Sequence, residues 1–562
     1  MLSAFDETLS NARAALLAER NAAGHWEGEL STSALSTATA VVALHSVDSA
    51  KHQALIDGGA RWLIANQNVD GGWGDTVLSH SNISTTLLVW SALNLTNDPA
   101  AADAIGKAEG WIGDTNPKAL VKRVTKRYGR DRTFAVPILM CCAICGRLGE
   151  GNKGWRRVLP LPFELAVFPH RFFAAMRLPV VSYALPALIA IGYARFFHAP
   201  PNRLSPWSWF RKAAWPRASQ KLESIQPSTG GFLEATPLTS FVTMALASAE
   251  QKEHRVVENS VRFIIDSVRP DGSWPIDTNL ATWTTTLSVK ALLGERRAPG
   301  FFPPDRKRIR EWLLGQQYQE VHPFTNAAPG GWAWTDLPGG VPDADDTPGA
   351  LLALHLIDPQ QSAAAERGVT WLLDLQNGDG GIPTFCRGWG AQPFDRSSPD
   401  LTAHTLRAWR IWQPAMPCEV QSRIDTATSR ALDYLRMTQA RDGSWTPLWF
   451  GNQHIEMENN RAYGTAMVLR ALEALNQRHP LLARSMHERG SAWLEAQQNE
   501  DGGFGGELGA PSSIEETALA IDALASSCGT ETRDNAVRYL IEKTKGGTEF
   551  PPSPIGFYFA KL

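Results

Sequence analysis

Apolar positions along this chain recur at the three-to-four-residue spacing of helices, and strand-like alternation is scarce. The helical stretches come in pairs around a shared turn. "ARWLIANQ" from Ala60 and "GVTWLLDLQ" from Gly368 run into QNVDGGWGD from Gln67 and QNGDGGIPTF from Gln376. TQARDGSW from Thr438, QQNEDGGFGGE from Gln497 and SVRPDGSWPID from Ser267 repeat the pattern, with looser copies from Glu19, Gln226 and Ala327. After each turn a second helix opens near Ser, Thr or Asp and continues in small and branched apolar residues, as in "SNISTTLLVWSALNL", "LATWTTTLSVKALL" and "SSIEETALAIDALA". Asp-Gly and Gly-Gly supply the positive φ that ends one helix and reverses the chain, and the Ser/Thr/Asp residues are N-cap material.

A repeat of roughly 40 to 60 residues fits paired helices stacked side by side. The second helices, rich in Ala, Thr, Ser and Gly, can approach closely and form an inner ring, with the longer Leu/Trp helices outside. The predicted fold is all-α, built as α/α barrels. Because the repeat lapses between Trp73 and Phe232, two barrels are expected: residues 1–28 with 280–562 in one, residues 29–279 in the other.

Composition narrows this picture. At 562 residues the chain exceeds one ordinary core. A net charge of −3 argues against nucleic-acid binding. Six cysteines, with Cys142 and Cys145 as a lone C-x-x-C, read as a reduced buried cluster and not as a zinc site or a disulfide framework. The N-terminus lacks the apolar run of a signal peptide, so a cytoplasmic location is expected. The 21 tryptophans concentrate at the repeats and in one other place. That place is SPWSWFRKAAWPRASQK, where Trp207, Trp209, Phe210 and Trp215 interleave with Arg211, Lys212, Arg217 and Lys221. Such interleaving suits a bilayer interface. The preceding apolar stretch from Leu159 is broken by prolines at 160, 162, 169, 179 and 186 and does not read as a transmembrane helix.

The chemistry concentrates in PDADDTPGALLAL. Asp343, Asp345 and Asp346 enter a helix expected to line a barrel, with no Lys or Arg within five residues. Buried there, at least one is expected to stay protonated, as an acid held ready. A metal-binding reading meets no further acid after Asp346, and an N-cap cluster is the bland alternative. In the next repeat "PDLTAHTL" offers Asp400 and His404 on one helix face, placed to reach Asp345.

The D-x-D-D element at Asp343–Asp346, the repeated Q-x-x-D-G-x-W turns and the paired α/α barrels resemble squalene–hopene cyclases and, more widely, class II terpene cyclases. The resemblance implies a squalene cyclase-like fold with QW-type turns and proton-initiated cyclisation of squalene, or a related linear polyprenyl, to a hopanoid-like triterpene. No cofactor or metal is implied. It makes Asp345 the general acid, hydrogen-bonded by His404 and supported by Asp346, with Asp343, Asp400 and Tyr463 completing the network. Aromatic faces stabilise carbocations without bonding to them, each by about 2 kcal/mol when desolvated. By match to the family's motifs the lining residues are Trp283, Trp334, Phe385, Trp449, Phe550 and Phe557, while Trp73, Trp274 and Trp445 belong to the turns.

The resemblance also implies monotopic attachment at the cytoplasmic face of the inner membrane and a homodimer. Several positions depart from the family. Thr284 follows Trp283 where an aspartate is usual, Thr39 takes the place of a glutamate, and Phe385 that of a tyrosine. Cys386, Arg387 and Asp395 are brought near the site by an unusual segment, and the chain stops at "GFYFAKL" where further helix is expected. The competing readings are a class II cyclase of a C15 or C20 prenyl diphosphate, with Arg387 at the pocket mouth, and a non-catalytic lipid-binding barrel.

Overall fold

The structure is a computed structural model. It describes residues 2–554 except 29, 97, 130–132, 170–183, 202–204, 295–305, 324, 361, 386–394 and 476–479, and not the side chains of 2, 3 and 480–482. It is all-α, and the one sheet among the described residues is a two-residue pairing.

Five helices rich in small residues, Ala34–Asp48, Ile83–Leu93, Ala135–Ile144, Leu185–His198 and Thr236–Ser248, touch in that order, and the last returns to the first. This closes an inner ring. A second series, Ala281–Leu293, Asp346–Ile357, Pro399–Trp412, Arg461–Leu475 and Ile514–Leu524, packs in chain order. The N-terminal helix Leu2–Ala18 lies against the last helix, Thr530–Lys543, where the Asn11 side chain donates to the Gly546 carbonyl at 2.9 Å.

The recurring turns are held by three fixed contacts. First, the indole N–H of the turn tryptophan donates to a carbonyl ten residues back: Trp73 to Leu63, Trp274 to Ile264, Trp445 to Leu435. Second, its backbone N–H donates to a threonine hydroxyl of an inner helix: Trp73 to Thr86, Trp332 to Thr347, Trp445 to Thr465. Third, a glutamine amide clamps the turn to the next outer helix, as Gln376 does by donating to Gly380 and Ala427, and Gln439 to Gly443 and Met486. The threonine hydroxyl satisfies a backbone N–H that the tight turn leaves open, and the indole and glutamine N–H groups add donors to carbonyls of the turn and the flanking helices. Trp73, Trp274 and Trp445 are fully buried in this role.

Two turns reach across the sequence. Trp274 N–H donates to Thr37, and Trp26 N–H donates to Thr285. The two connectors run antiparallel, with Ser33 paired to Trp274 and Leu280 N–H donating to Glu27. Residues 2–28 therefore pack with the second series, and residues 255–275 with the first.

Cys141, Cys142 and Cys145 are free, buried thiols, and burial pushes Cys142 up to about 12. Among the described residues no helix is long and apolar enough to cross a membrane. In the aromatic–basic helix Pro206–Ser224, Trp207 and Trp209 are exposed at 52% and 71%, and Lys212 and Arg217 are exposed beside them. Arg211 departs from its expected place at the surface. It is buried, 2.9 Å from Glu164, and donates to the Leu161 carbonyl, so it serves the fold.

Candidate active site

The site forms at the N-terminal ends of four adjacent inner helices: the lysine helix Ala281–Leu293, the acid helix Asp346–Ile357, the histidine helix Pro399–Trp412 and the tyrosine helix Arg461–Leu475. Asp343 starts the acid helix. One of its carboxylate oxygens accepts the backbone N–H of Asp345 at 2.8 Å and of Asp346 at 2.7 Å. Its own backbone pairs with Phe385 in an isolated bridge, and Ala344 N–H donates to the Thr384 carbonyl. The acids and Phe385 are thus fixed on adjacent extended segments.

Asp345 Oδ1 lies 3.0 Å from His404 Nδ1. Asp343 and Asp346 are buried, whereas Asp345 is enclosed by protein yet keeps 29% of its side-chain surface open, as a group facing an internal space does. Charge divides unevenly among the three. Burial pushes Asp345 up, but the His404 hydrogen bond, the His404 and Lys290 charges and the Trp283 indole N–H outweigh it and hold the carboxyl below its ordinary value. Burial and then the charges of Asp343 and Asp345 hold Asp346 well above it, and burial brings Asp343 to about 7. The cluster does keep protons near neutrality. Burial favours the protonated form of Asp346 and Asp343, whereas the His404 contact and the Lys290 charge favour the charged form of Asp345.

Other expected members fall out differently. Asp400 does not bond His404. One of its oxygens accepts the Ser398 hydroxyl and the other is buried without a partner among the described residues, as is His404 Nε2. Burial raises Asp400 to about 6. Tyr463 stacks on Phe450 with ring centroids 4.2 Å apart, and among the described residues no hydrogen bond joins its hydroxyl to an acid. The stacking sets the ring's direction, and the Tyr463 side chain remains in the fields of Asp345 and Asp400.

Trp334 meets Phe385 edge to face at 6.3 Å, and its carbonyl accepts the backbone N–H of Trp283. Trp449 is buried, its indole N–H donating to Thr384. Phe385 also lines an apolar cavity with Leu88, Phe134, Ile138, Leu233 and Phe241 of the first series. Phe550 is not brought into this wall: it is 50% exposed in the chain beyond the last helix. Phe557, Cys386 and Arg387 lie outside the described residues. Asp395 is buried and presents its backbone carbonyl to Asn377. Thr284 donates to the Trp26 carbonyl at 2.8 Å and so ties down the N-terminal segment, and Thr39 is buried, bonded to Ser36.

Sequence reading missed the cations. Lys290, Arg407 and Arg470 project from the lysine, histidine and tyrosine helices into one electrostatic neighbourhood with the acids. No Lys or Arg is near the acids in sequence, and the neighbouring helix supplies Lys290. The signal was a lone lysine in a Ser/Thr/Leu inner helix, seven residues after Trp283.

Residues 279–533 match the squalene–hopene cyclase C-terminal domain, and residues 9–128 match the squalene–hopene cyclase N-terminal domain. The chain belongs to the squalene–hopene cyclase-like family of class II terpene cyclases. Among its relatives is a terpene cyclase–glycosyl transferase fusion protein of Humicola fuscoatra, 26% identical over 614 residues, covering 89% of this chain and 43% of that protein. A squalene hopane cyclase of Aspergillus fumigatus is 23% identical over 644 residues, covering 92% and 81%. The chain spans less than half the length of the first two curated relatives it matches. The structure superposes on ent-copalyl diphosphate synthase from Streptomyces platensis with a TM-score of 0.57 at 18% identity, over 98% of this chain and 93% of that one, a likeness of fold.

Proposed function

We propose that this protein is a class II cyclase of a linear isoprenoid, with squalene as the preferred substrate, in which Asp345 protonates a terminal alkene. The observation that carries the reading is the 3.0 Å contact between Asp345 Oδ1 and His404 Nδ1, made between adjacent inner helices. A carboxyl of low proton affinity is a strong donor once protonated. Hydrocarbon filling the internal space displaces water from the open part of Asp345 and drives a proton onto it. After transfer the Asp345 carboxylate is stabilised by His404, and the positive charge travels past aromatic faces. Trp283, Trp334, Phe385 and Trp449 support such a wall, each able to stabilise a desolvated cation by about 2 kcal/mol.

The same reading places the protein at a membrane surface. The exposed Trp207, Trp209 and Phe210 with Lys212 and Arg217 support attachment from one side, as an interfacial helix attaches. Loss of co-sedimentation with anionic vesicles in a Trp207→Ser/Trp209→Ser variant checks this.

The test of the activity is incubation of detergent-solubilised protein, in EDTA, with squalene and separately with geranylgeranyl and farnesyl diphosphates. Extracts are analysed by gas chromatography–mass spectrometry beside Asp345→Asn. A cyclised C30 product, absent from the variant, is expected. Cyclisation of the diphosphates alone moves the substrate to a shorter chain, and no product from any of the three leaves a barrel that binds without reacting.

A further inference from the structure

On three inner helices a cation stands on the same face as the residue that serves the acid, farther from the N-terminal end. Trp283 is followed at seven residues by Lys290, His404 at three by Arg407, and Tyr463 at seven by Arg470, spacings that keep each pair on one helix face. The helices converge at Gly349 of the acid helix. A Cβ there would lie 3.1 Å from Thr286 Oγ1 and 3.8 Å from His404 Cε1. Thr286 shares the face of Trp283 and Lys290, so this face is turned toward the acid helix.

The three cations are not equivalent. Arg470 Nε lies 2.8 Å from Asp522 Oδ2, and Arg407 is drawn toward the same carboxylate. Lys290 forms no ion pair with any described residue. The charged and titratable groups facing it are Asp345 and Asp346 from the acid helix, His404 and Arg407 from the histidine helix, and Arg470 from the tyrosine helix. Placing an ammonium inside a barrel without a contact partner is costly. Burial and Arg407 indeed pull Lys290 down to about 7, against the opposing fields of the two aspartates.

We propose that Lys290 is a positioning residue that sets the acid strength of Asp345, its ammonium stabilising the carboxylate left when the proton departs. This rests on the reading of Asp345 as the acid. In that step the alkene π electrons form the new C–H bond, the Asp345 O–H bond breaks, and the electron pair stays on the carboxylate while the positive charge appears on carbon. Lys290 touches neither alkene nor cation. It stands seven residues beyond Trp283, farther from the N-terminal end of its helix. It also supplies support that Thr284, occupied with the Trp26 carbonyl, does not.

The test compares wild type, Lys290→Met and Lys290→Arg by turnover against pH on the substrate that Asp345→Asn abolishes, with melting temperatures alongside. A neighbouring cation lowers the proton affinity of a carboxyl, so removing it raises that affinity. In Lys290→Met the alkaline limb of kcat should move up by about one pH unit and the plateau should fall about tenfold, with KM within about twofold. Lys290→Arg should keep the limb and most of the plateau. An equal loss at every pH with the limb unmoved overturns the proposal, as does Lys290→Arg behaving like Lys290→Met.

A second measurement needs no turnover. With lysines ¹³C-methylated, the NMR resonance missing from Lys290→Arg reports Lys290, and its titration midpoint should be lower in Asp345→Asn than in wild type. An unchanged midpoint overturns the coupling. Failure of the cyclase reading alone would show as no product from any substrate with the midpoint still shifted.

Discussion

Asp343 shows how one side chain organises the site. Its oxygen holds two backbone N–H groups at the start of the acid helix, which aims Asp345 at His404. Asp343→Ala should cost about 1–2 kcal/mol in denaturant unfolding, as loss of a capping acceptor does. Asp343→Asn, which keeps an accepting oxygen, should cost much less, so equal losses would show that the cap is not the source. The acids were legible in sequence because three carboxyls entering an apolar helix are rare and local. Their division of labour was not. Which of the three is held low depends on His404, Lys290 and Trp283, each on a helix the sequence could not orient. Phe550, matched by motif alone, is half-exposed in the stretch that follows the helix Thr530–Lys543.

At the scale of the element, the repeating turns are over-determined. Gln439 clamps Gly443 to Met486, and Gly443 itself adopts φ 105° with its α-carbon against the next outer helix, where an added Cβ would lie 2.5 Å from the Arg489 carbonyl. Gly443→Ala should therefore destabilise by more than about 1 kcal/mol, combining strain and collision. Gln439→Ala should cost about 1–2 kcal/mol by removing the two hydrogen bonds to Gly443 and Met486. Chemical denaturation of both variants checks this, and a near-neutral Gly443→Ala would contradict the turn geometry. These turns were readable from sequence because Gln, Asp-Gly and Trp act within about ten residues. The threonine that receives the tryptophan N–H at the head of each inner helix is equally local for Trp73 and Trp445. For Trp274 and Trp26 it lies more than 230 residues away, and no periodicity reveals that pairing.

The whole molecule buries carboxyls that its fold has to tolerate, and this sets how its stability responds to pH. Burial brings Glu234 and Asp277 to about 7, and Asp343 likewise, against ordinary values near 4 in an unfolded chain. A carboxyl raised on folding binds more protons folded than unfolded, so its stabilisation is complete below the unfolded value and is lost as pH rises through the folded one. The buried histidines His25, His52, His322 and His404 are lowered by burial and act the other way, but only below their ordinary value of about 6.5. Above pH 7 the lowered Lys290 returns part of the loss. Three carboxyls against one lysine leave a net decline, so the melting temperature should fall between about pH 6.5 and 7.5, and Lys290 should raise it again at higher pH. Glu234 provides the control. Its Oε1 accepts Gly339 N–H at 2.7 Å and the Thr229 hydroxyl at 2.8 Å, contacts a glutamine oxygen can keep. Glu234→Gln should thus flatten the decline clearly while preserving the fold, since one of the titrating carboxyls is removed and the opposing lysine is not. A slope unchanged in that variant would mean that Glu234 is already ionised in the native protein and that its burial is relieved by contacts beyond Thr229 and Gly339.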